Sequence, residues 1–293
     1  MLLDTMRFKN ASGDEINLMS STIRSNPREA KLWSYSVADS VNSNMPKPFT
    51  LTIICSSDSN HKGEYYANEV VTKLSKDAAY NKCGFLEINN WRLDCYFIGV
   101  SGIETDLYGV VKFTANFYAP NGFLWYKITA SRVTIPSSAE WIGQPQIASI
   151  TSENVVATKI ILKSFNNTGS ATTATTAEKV TDNIAGYGTN SYNNQFMPGT
   201  DWNKYYCIDS FRRKITIASS TSTNVSSADG DYKINSEKDA TSRVSMNAAS
   251  WIFMLFPWGK NPKISLQNRS FAYESYGYVT FYELRGMPEW TIT

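Results

Sequence analysis

Only one segment of this 293-residue sequence has the apolar repeat of an α-helix, whereas most other apolar residues alternate with polar ones as in β-strands. In residues 64–80, Glu64 and Glu69 precede Lys73 and Lys76, the order that the helix dipole favours. The predicted apolar stripe consists of Tyr66, Ala67, Val70, Val71, Leu74 and Ala78. Because a chain with a single helix must build its core from sheets, the sequence predicts a β-rich fold.

Residues 1–135 combine this helix with alternating strands, which predicts an α+β domain with a mainly antiparallel sheet. Asn89-Asn90 separates two alternating runs, and asparagine tolerates the positive φ angles of a two-residue hairpin turn. A Pro-Asn-Gly turn at residues 120–122 ends the last strand. The strands are predicted at Phe49–Cys55, Gly84–Ile88, Trp91–Ile98 and Val111–Phe117. The side chains expected to face the core are Phe49, Leu51, Ile53, Cys55, Trp91, Leu93, Cys95, Phe97, Val111, Phe113, Ala115 and Phe117.

Proline and glycine punctuate residues 134–145, which predicts a domain boundary between residues 135 and 136. Many short strands separated by turns follow, which indicates an all-β sandwich over residues 136–293. The small-polar stretches 168–177 and 219–228 have no core-forming pattern and are predicted to be exposed loops. The strands are predicted at Val155–Lys163, Lys204–Asp209, Arg212–Ser219, Ala249–Phe256, Lys263–Gln267 and Tyr276–Leu284.

Composition excludes several classes of function. With 28 basic and 26 acidic residues, the net charge of +2 gives no basic field for a nucleic-acid backbone, so a dedicated nucleic-acid-binding protein is not expected. A single histidine excludes zinc sites that need two, and no Cys-x-x-Cys, Walker or Gly-x-Ser-x-Gly motif occurs. With neither a signal peptide nor a membrane-spanning apolar run recognised, we expect a soluble chain made in a reducing cytoplasm. We predict no cofactor and no metal.

Several residues could act chemically, but a structural role is favoured for each. His61 lies in a polar loop, where a solvated histidine is more common than a general base. Glu283, Glu274 and Asp94 could supply the paired carboxylates of a glycoside hydrolase, but nothing in the sequence brings them together. The sequence therefore predicts no catalytic, cofactor-binding or metal-binding residue, and no enzyme.

Two charged motifs are also better explained by structure than by binding. Asp229-Gly-Asp231 lacks the later ligands of a calcium loop and is predicted to be a turn between strands. Arg212-Arg213-Lys214 has no interleaved aromatic residues and is predicted to be a solvated strand edge. Buried hydrophobic roles are predicted for Cys55, Cys95 and Cys207, and a bridge between the first two stays open.

Aromatic residues make up 13% of the chain and crowd two C-terminal segments, 249–259 and 273–282. They could form the core of a sandwich whose strands are buried on both faces. Alternatively, some of the rings could stack on sugars or bury against another subunit, and strands that are apolar on both faces favour this for part of them. The residues are Trp251, Phe253, Phe256, Trp258, Tyr273, Tyr276, Tyr278, Phe281 and Tyr282.

The order and spacing of these segments resemble the distal tail proteins of phages with long, non-contractile tails that infect Gram-positive bacteria. The similar segments are 49–55, 64–80, 84–98 and 108–125 in the N-terminal half, and 255–264 and 278–285 in the C-terminal half. Within the fifth segment, Leu255-Phe-Pro257-Trp-Gly259-Lys-Asn261 is similar to a late strand of the family's galectin-like second domain, with one extra residue before the glycine.

This resemblance implies a structural virion protein of the bacteriophage tail tip or baseplate. The N-terminal domain would form a homohexameric ring that connects the tail tube to the tip, and the C-terminal domain would be a galectin-like β-sandwich. Implied partners are the tail tube protein, a tail-tip protein of the tail-associated lysin type and receptor-binding proteins, while DNA passes through the lumen without specific binding. The alternative function is a carbohydrate-binding sandwich that attaches to host cell-wall sugars.

Overall fold

The computed structural model describes a long N-terminal part of the chain and shorter stretches after it. The described residues are 5–26, 46–122, 124–135, 146–163, 165–166, 172–173, 175–180, 192–195, 197–198, 205–212, 214–220, 223–239, 244–245, 255–256, 262–268 and 275–286. They belong to two compact units: unit 1 comprises Met1–Lys127 with Arg285–Thr293, and unit 2 comprises Ile128–Leu284. The sequence predicted a division between residues 135 and 136, where Pro136 follows a strand. The two units divide between Lys127 and Ile128, within that strand, Trp125–Ile135, and the predicted domain boundary stays a prediction.

Unit 1 contains antiparallel sheets and the helix. Its elements are β1 (Met6–Lys9), β2 (Glu15–Asn17), β3 (Ile23–Ser25), β4 (Lys47–Cys55), α1 (Gly63–Ala79), β5 (Gly84–Ile88), β6 (Trp91–Thr105) and β7 (Val111–Ala119). Strand β6 pairs with β5 through residues 91–95 and with β7 through residues 96–105. It therefore joins a sheet of order β2–β1–β5–β6 to one of order β3–β4–β7–β6.

The predicted inward faces of β4, β6 and β7 are confirmed, because every side chain named for them is buried. The ring of Phe117 lies at their centre, with its centroid 5.2 Å from Phe49 and 5.7 Å from Phe97. The hairpin turn is also confirmed, since Asn89 and Asn90 have φ angles of 49° and 68°. The alternation of apolar and polar residues and the choice of turn residues are local sequence signals, and in this part of the chain they agree with the tertiary structure.

Helix α1 was predicted at residues 64–80 and forms at Gly63–Ala79. Val70 and Leu74 of the predicted stripe are buried, but Ala78 is exposed and Asp77 is buried beside it. The Asp77 carboxylate accepts the backbone N–H of Ala11 at 2.8 Å. A backbone donor of the β1–β2 turn is thereby satisfied, which explains why an acidic residue takes this buried position.

Unit 2 consists of strands in the part of the chain that the structure describes. After β8 (Trp125–Ile135), these are β9 (Gln146–Ser149), β10 (Val155–Lys163), β11 (Phe165–Asn166), β12 (Thr172–Thr173), β13 (Thr175–Val180), β14 (Tyr192–Gln195), β15 (Met197–Pro198), β16 (Tyr205–Asp209), β17 (Lys214–Ala218), β18 (Val225–Ala228), β19 (Asp231–Ile234), β20 (Glu237–Asp239), β21 (Val244–Ser245), β22 (Leu255–Phe256), β23 (Lys263–Asn268) and β24 (Ser275–Arg285). One sheet has the order β24–β10–β16–β17–β20, and another has the order β14–β13–β23–β9.

These two sheets share a hydrophobic core. Val156, Ile160 and Phe281 of the first sheet belong to the same buried cluster as Ile264 and Leu266 of the second. Two antiparallel sheets that share a core are the arrangement of a β-sandwich. The galectin-like topology stays a prediction.

The prediction of exposed loops at residues 168–177 and 219–228 is wrong for part of each stretch. Strand β13 pairs with both β14 and β23, so it lies inside its sheet. Strand β18 forms a hairpin with β19. Threonine and valine are β-branched and favour strands, and the small-polar composition of both stretches concealed this preference.

Strand β24 is buried on both faces, and unit 2 itself covers both of them. Val279 and Phe281 belong to the core between the sheets, whereas Tyr278 belongs to a second cluster on the other face. That second cluster includes Ile234 of the β18–β19 hairpin. Of the two interpretations that the sequence left open, burial within the sandwich applies to these residues of β24, so their double burial is not a sign of contact with another subunit. Trp251, Phe253, Trp258 and Tyr273, which the sequence also singled out, lie outside the described residues, and Phe256 is described only as part of strand β22.

Candidate functional site

Among the described residues of unit 1, the most exposed apolar feature is the distal part of the β6–β7 hairpin, residues 98–110, which we call the arm. Leu107 is fully exposed, and Tyr108 is 86% exposed. Ile98 and Ile103 are 61% and 65% exposed. Single exposed apolar side chains are ordinary, but several on one edge strand and the turn that follows it indicate an interaction surface.

Hydrogen bonds fix the tip of the arm, residues 106–110. The Asp106 carboxylate accepts the backbone N–H groups of Tyr108 at 2.8 Å and Val110 at 2.9 Å. The Gly109 N–H donates to the Asp106 carbonyl at 3.1 Å, and Gly109 adopts a φ angle of 75° that favours glycine. Leu107 and Tyr108 are thus presented in one backbone conformation, which lowers the entropy lost on binding.

The tip is also tied to the start of helix α1. The Gly63 N–H donates to the Gly109 carbonyl and to the Ser57 hydroxyl, each at 3.2 Å. A Cβ atom on Gly63 would overlap the carbonyl oxygens of Cys55 and Gly109. Only glycine therefore lets the strand end, the helix start and the arm tip approach so closely.

Aromatic rings surround the start of the helix. His61 lies in an exposed loop, as predicted, and its ring stacks on that of Tyr65 with 3.9 Å between centroids. The Tyr66 hydroxyl donates to the Asp58 carboxylate at 2.5 Å. This bond raises the pKa of Tyr66 to about 12 and lowers the pKa of Asp58. The loop before the helix is therefore ordered by its own side chains.

A shallow cavity of about 310 Å³ lies at the turn between β2 and β3. It is lined by Met19, Ser20, Ser21, Arg24 and Ser25. Arg24 is exposed, and its Nε atom donates to the Ser20 carbonyl at 3.4 Å. The cavity combines an apolar side chain with a cation and small polar groups.

The two candidate carboxylates that the structure describes each have a partner within their own unit. Asp94 is buried in unit 1 and accepts the hydroxyl of Tyr126 at 2.5 Å. Glu283 belongs to unit 2 and accepts the hydroxyl of Ser152 at 2.6 Å. Glu274 lies outside the described residues. Each described carboxylate thus has a structural partner.

A buried charge network in unit 2 was not anticipated from the sequence. Asp229 and Gly230 form the predicted turn, with φ angles of 55° and 75°, but Asp231 after them is buried. Its carboxylate lies 2.6 Å from the Lys159 ammonium and accepts the hydroxyls of Thr280 and Tyr282, each at 3.1 Å. The network fastens the β18–β19 hairpin to strands β10 and β24.

Arg212 extends this network, so the prediction of a solvated strand edge is wrong for it. Its guanidinium donates to the Asp209 carboxylate at 3.0 Å and to the Tyr282 hydroxyl at 3.1 Å. Burial alone would raise the pKa of Asp231, but Lys159 and Arg212 outweigh it and hold that pKa below its ordinary value of 3.8. Lys214 is exposed, as predicted, and Arg213 lies outside the described residues.

Tyrosines and an arginine form a surface cluster on unit 2, which we call the Tyr–Arg132 cluster. It comprises Arg132 of β8, Tyr205 of β16, Tyr232 of β19, and Tyr276 and Tyr278 of β24. The Arg132 guanidinium lies 3.9 Å from the ring centroid of Tyr276, and the Tyr232 and Tyr278 rings are 4.9 Å apart. Burial and the neighbouring Tyr278 raise the pKa of Tyr205.

The four cysteines are free thiols. Cys55, Cys95 and Cys207 are buried, as predicted, and burial raises the pKa of Cys55 to about 11. Among the described residues, no group of three or more His, Cys, Asp or Glu side chains could hold a metal ion. Within that same part of the chain, no helix has both the length and the apolar character needed to cross a bilayer.

Comparisons with known proteins find similarity only among solved structures. No protein-family model matches the chain, and no curated protein matches it. Among solved structures, the chain is similar to that of the SPP1 Dit protein, which its description calls a paradigm of the hub adsorption apparatus in phages infecting Gram-positive bacteria. The match covers 97% of this chain and 99% of that one, with a TM-score of 0.43 and 11% identity. A similarity this low assigns the chain neither a fold nor a function.

Proposed function

We propose that this chain is a structural, non-catalytic protein of a phage tail tip that assembles into a ring of identical copies. As the sequence resemblance implies, the ring would be hexameric, would join the tail tube to the tip, and would carry the tip protein and receptor-binding proteins. DNA would pass through its lumen without specific contacts. The observation that supports self-association is the rigid, apolar arm of unit 1.

The arm has the properties of an interface anchor. Fully burying one large apolar side chain contributes roughly 1.5–3 kcal/mol, and Leu107 and Tyr108 are almost completely exposed in the single chain. Their hydrogen-bonded backbone is already ordered, so less of this energy is lost to entropy on association. Bound anchors of this kind tend to dominate the affinity of an interface.

Multi-angle light scattering of the purified full chain tests this proposal. The wild-type protein should have a mass several times 32.8 kDa, and the double variant Leu107→Ser/Tyr108→Ser should shift toward the monomer. Tyr80→Ser is the matched control, because Tyr80 is 73% exposed at the other end of helix α1, and it should leave the mass unchanged. A wild-type protein that stays monomeric at high concentration would contradict the proposal.

The second candidate function is attachment to host cell-wall sugars through unit 2. The Tyr–Arg132 cluster favours it, since half-buried tyrosine rings and a guanidinium offer stacking surfaces beside hydrogen-bond donors. Co-sedimentation with isolated cell walls should retain the wild-type chain and lose the variant Arg132→Ala/Tyr276→Ala. Failure of the wild-type chain to sediment would dismiss this function and leave the ring proposal untouched.

A further inference from the structure

We propose that copies of this chain associate head to tail, with the arm tip of one copy seated in the β2–β3 turn of the next. Leu107 and Tyr108 would enter the cavity lined by Met19 and Arg24. The inference rests on the proposed self-association and adds the two surfaces that meet.

Both surfaces lie at the same end of one sheet, on opposite edges. Ile23 of β3 pairs with Cys55, Cys55 pairs with Val111, and Val111 pairs with Thr105 of β6. This row crosses three strand spacings, or roughly 14 Å. The β2–β3 turn immediately precedes Ile23, and the arm tip immediately follows Thr105, so both project beyond the same end of the sheet.

This placement suits copies related by rotation about a single axis. Rotation does not move a copy along the axis. The tip on one edge of a copy can therefore meet the turn on the opposite edge of its neighbour only if tip and turn lie at the same position along that axis. Each copy has one tip and one turn, and a head-to-tail contact leaves one of each free for the next copy. The contact can therefore repeat until a ring closes, whereas a two-fold contact between tips would end at a dimer.

The chemistry of the two surfaces is complementary. The cavity of about 310 Å³ is at the lower end of the volumes that hold small ligands, and Met19, 39% exposed, gives it an adaptable apolar wall. Arg24 is exposed at the cavity, and the arm carries Glu104, whose side chain is 73% exposed. Glu104 lies 3.8 Å from the Lys112 ammonium, but an exposed pair of this kind contributes little, so its carboxylate can also accept Arg24.

Cysteine cross-linking separates these arrangements. Cys83→Ser removes the one thiol that is not buried. Thr105→Cys, at an exposed position beside the arm tip, and Ser21→Cys are then made separately in that background. A short bis-maleimide should link the two variants when they are mixed, and should give no linked dimer with either variant alone. Light scattering of each variant confirms that it still associates.

The possible outcomes distinguish the inference from the proposed function. Cross-links in the Thr105→Cys variant alone would show a tip-to-tip contact and overturn the inference while leaving self-association intact. Oligomers that give no cross-link in any combination would overturn it as well, because association would then use another surface. A monomeric wild-type chain would instead overturn the proposed function itself.

A charge exchange provides a second measurement that does not rely on cysteine chemistry. Arg24→Glu should raise the dissociation constant of the oligomer by roughly two- to fivefold, the range of an exposed ion pair. Adding Glu104→Arg should restore the wild-type value, because the opposite charges then face each other again. Lys214→Glu is the control, since Lys214 is an exposed residue of unit 2. A double variant weaker than Arg24→Glu would contradict the pairing.

Discussion

Replacement of Asp231 by asparagine should strongly destabilise unit 2. Asp231 and Lys159 are 5% and 6% exposed, so asparagine would leave a buried ammonium group without its counter-charge. Breaking a buried ion pair by removing one partner costs roughly 3–5 kcal/mol. The hydroxyls of Thr280 and Tyr282 would also lose a charged acceptor. We therefore expect a loss at the upper part of this range.

Urea unfolding followed by intrinsic fluorescence measures the loss. With a urea dependence of about 2 kcal/mol per molar, the midpoint of the unit 2 transition should fall by roughly 2–2.5 M. Asp229→Asn is the control, because it lies in the same turn and asparagine also tolerates its φ angle of 55°. The double variant Lys159→Met/Asp231→Leu should recover most of the stability, since an apolar replacement removes both buried charges.

The effect of Asp231→Asn should also depend on pH. Because the folded-state pKa of Asp231 lies below its ordinary value of 3.8, its ionised form stabilises the fold above that value. This stabilisation is lost as the pH falls through the folded-state pKa, so the wild-type chain and the variant should become more alike below about pH 4. An equal midpoint for both proteins at pH 7 would refute the buried ion pair.

Three further predictions concern single positions. Gly63→Ala should destabilise unit 1 by about 1–3 kcal/mol in thermal unfolding, because its Cβ would overlap backbone oxygens, and an unchanged melting temperature would contradict the close approach. Asn90→Val should cost about 1–2 kcal/mol, since valine disfavours the φ angle of 68°, whereas Asn90→Gly should be tolerated; equal stability of the two would count against the turn. In a thiol titration of the native chain near pH 8, Cys83 alone should react quickly, because Cys55 and the other cysteines are buried. A second fast thiol would contradict this burial.

The sequence predicted the elements of unit 1 best where local signals sufficed. The alternation of β4 and β7 and the Asn89-Asn90 turn each depend on neighbouring residues, and the structure has them as predicted. It could not predict that Asp231 would meet Lys159, because the two are far apart in the chain and an aspartate after a turn looks solvated. Only the docking of the β18–β19 hairpin on β10 and β24 buries it.

The candidate site was missed for a similar reason. The strand β6 was predicted to end at Ile98, because glycines follow it, but it continues to Thr105 through bulges. Whether Leu107 and Tyr108 are exposed depends on how far this hairpin projects from the sheet, which is a tertiary property. One signal was present: two large apolar residues lie between Asp106 and Gly109, where turn chemistry would favour polar ones.

Negative-stain images of the purified full chain test self-association into a ring most directly. We predict closed, ring-shaped particles of uniform size with a central opening, six-fold when rotationally averaged, as the resemblance implies. The Leu107→Ser/Tyr108→Ser variant should lose these particles under the same conditions. If wild-type protein at high concentration gave only small, compact particles without rings, this would contradict the proposed function.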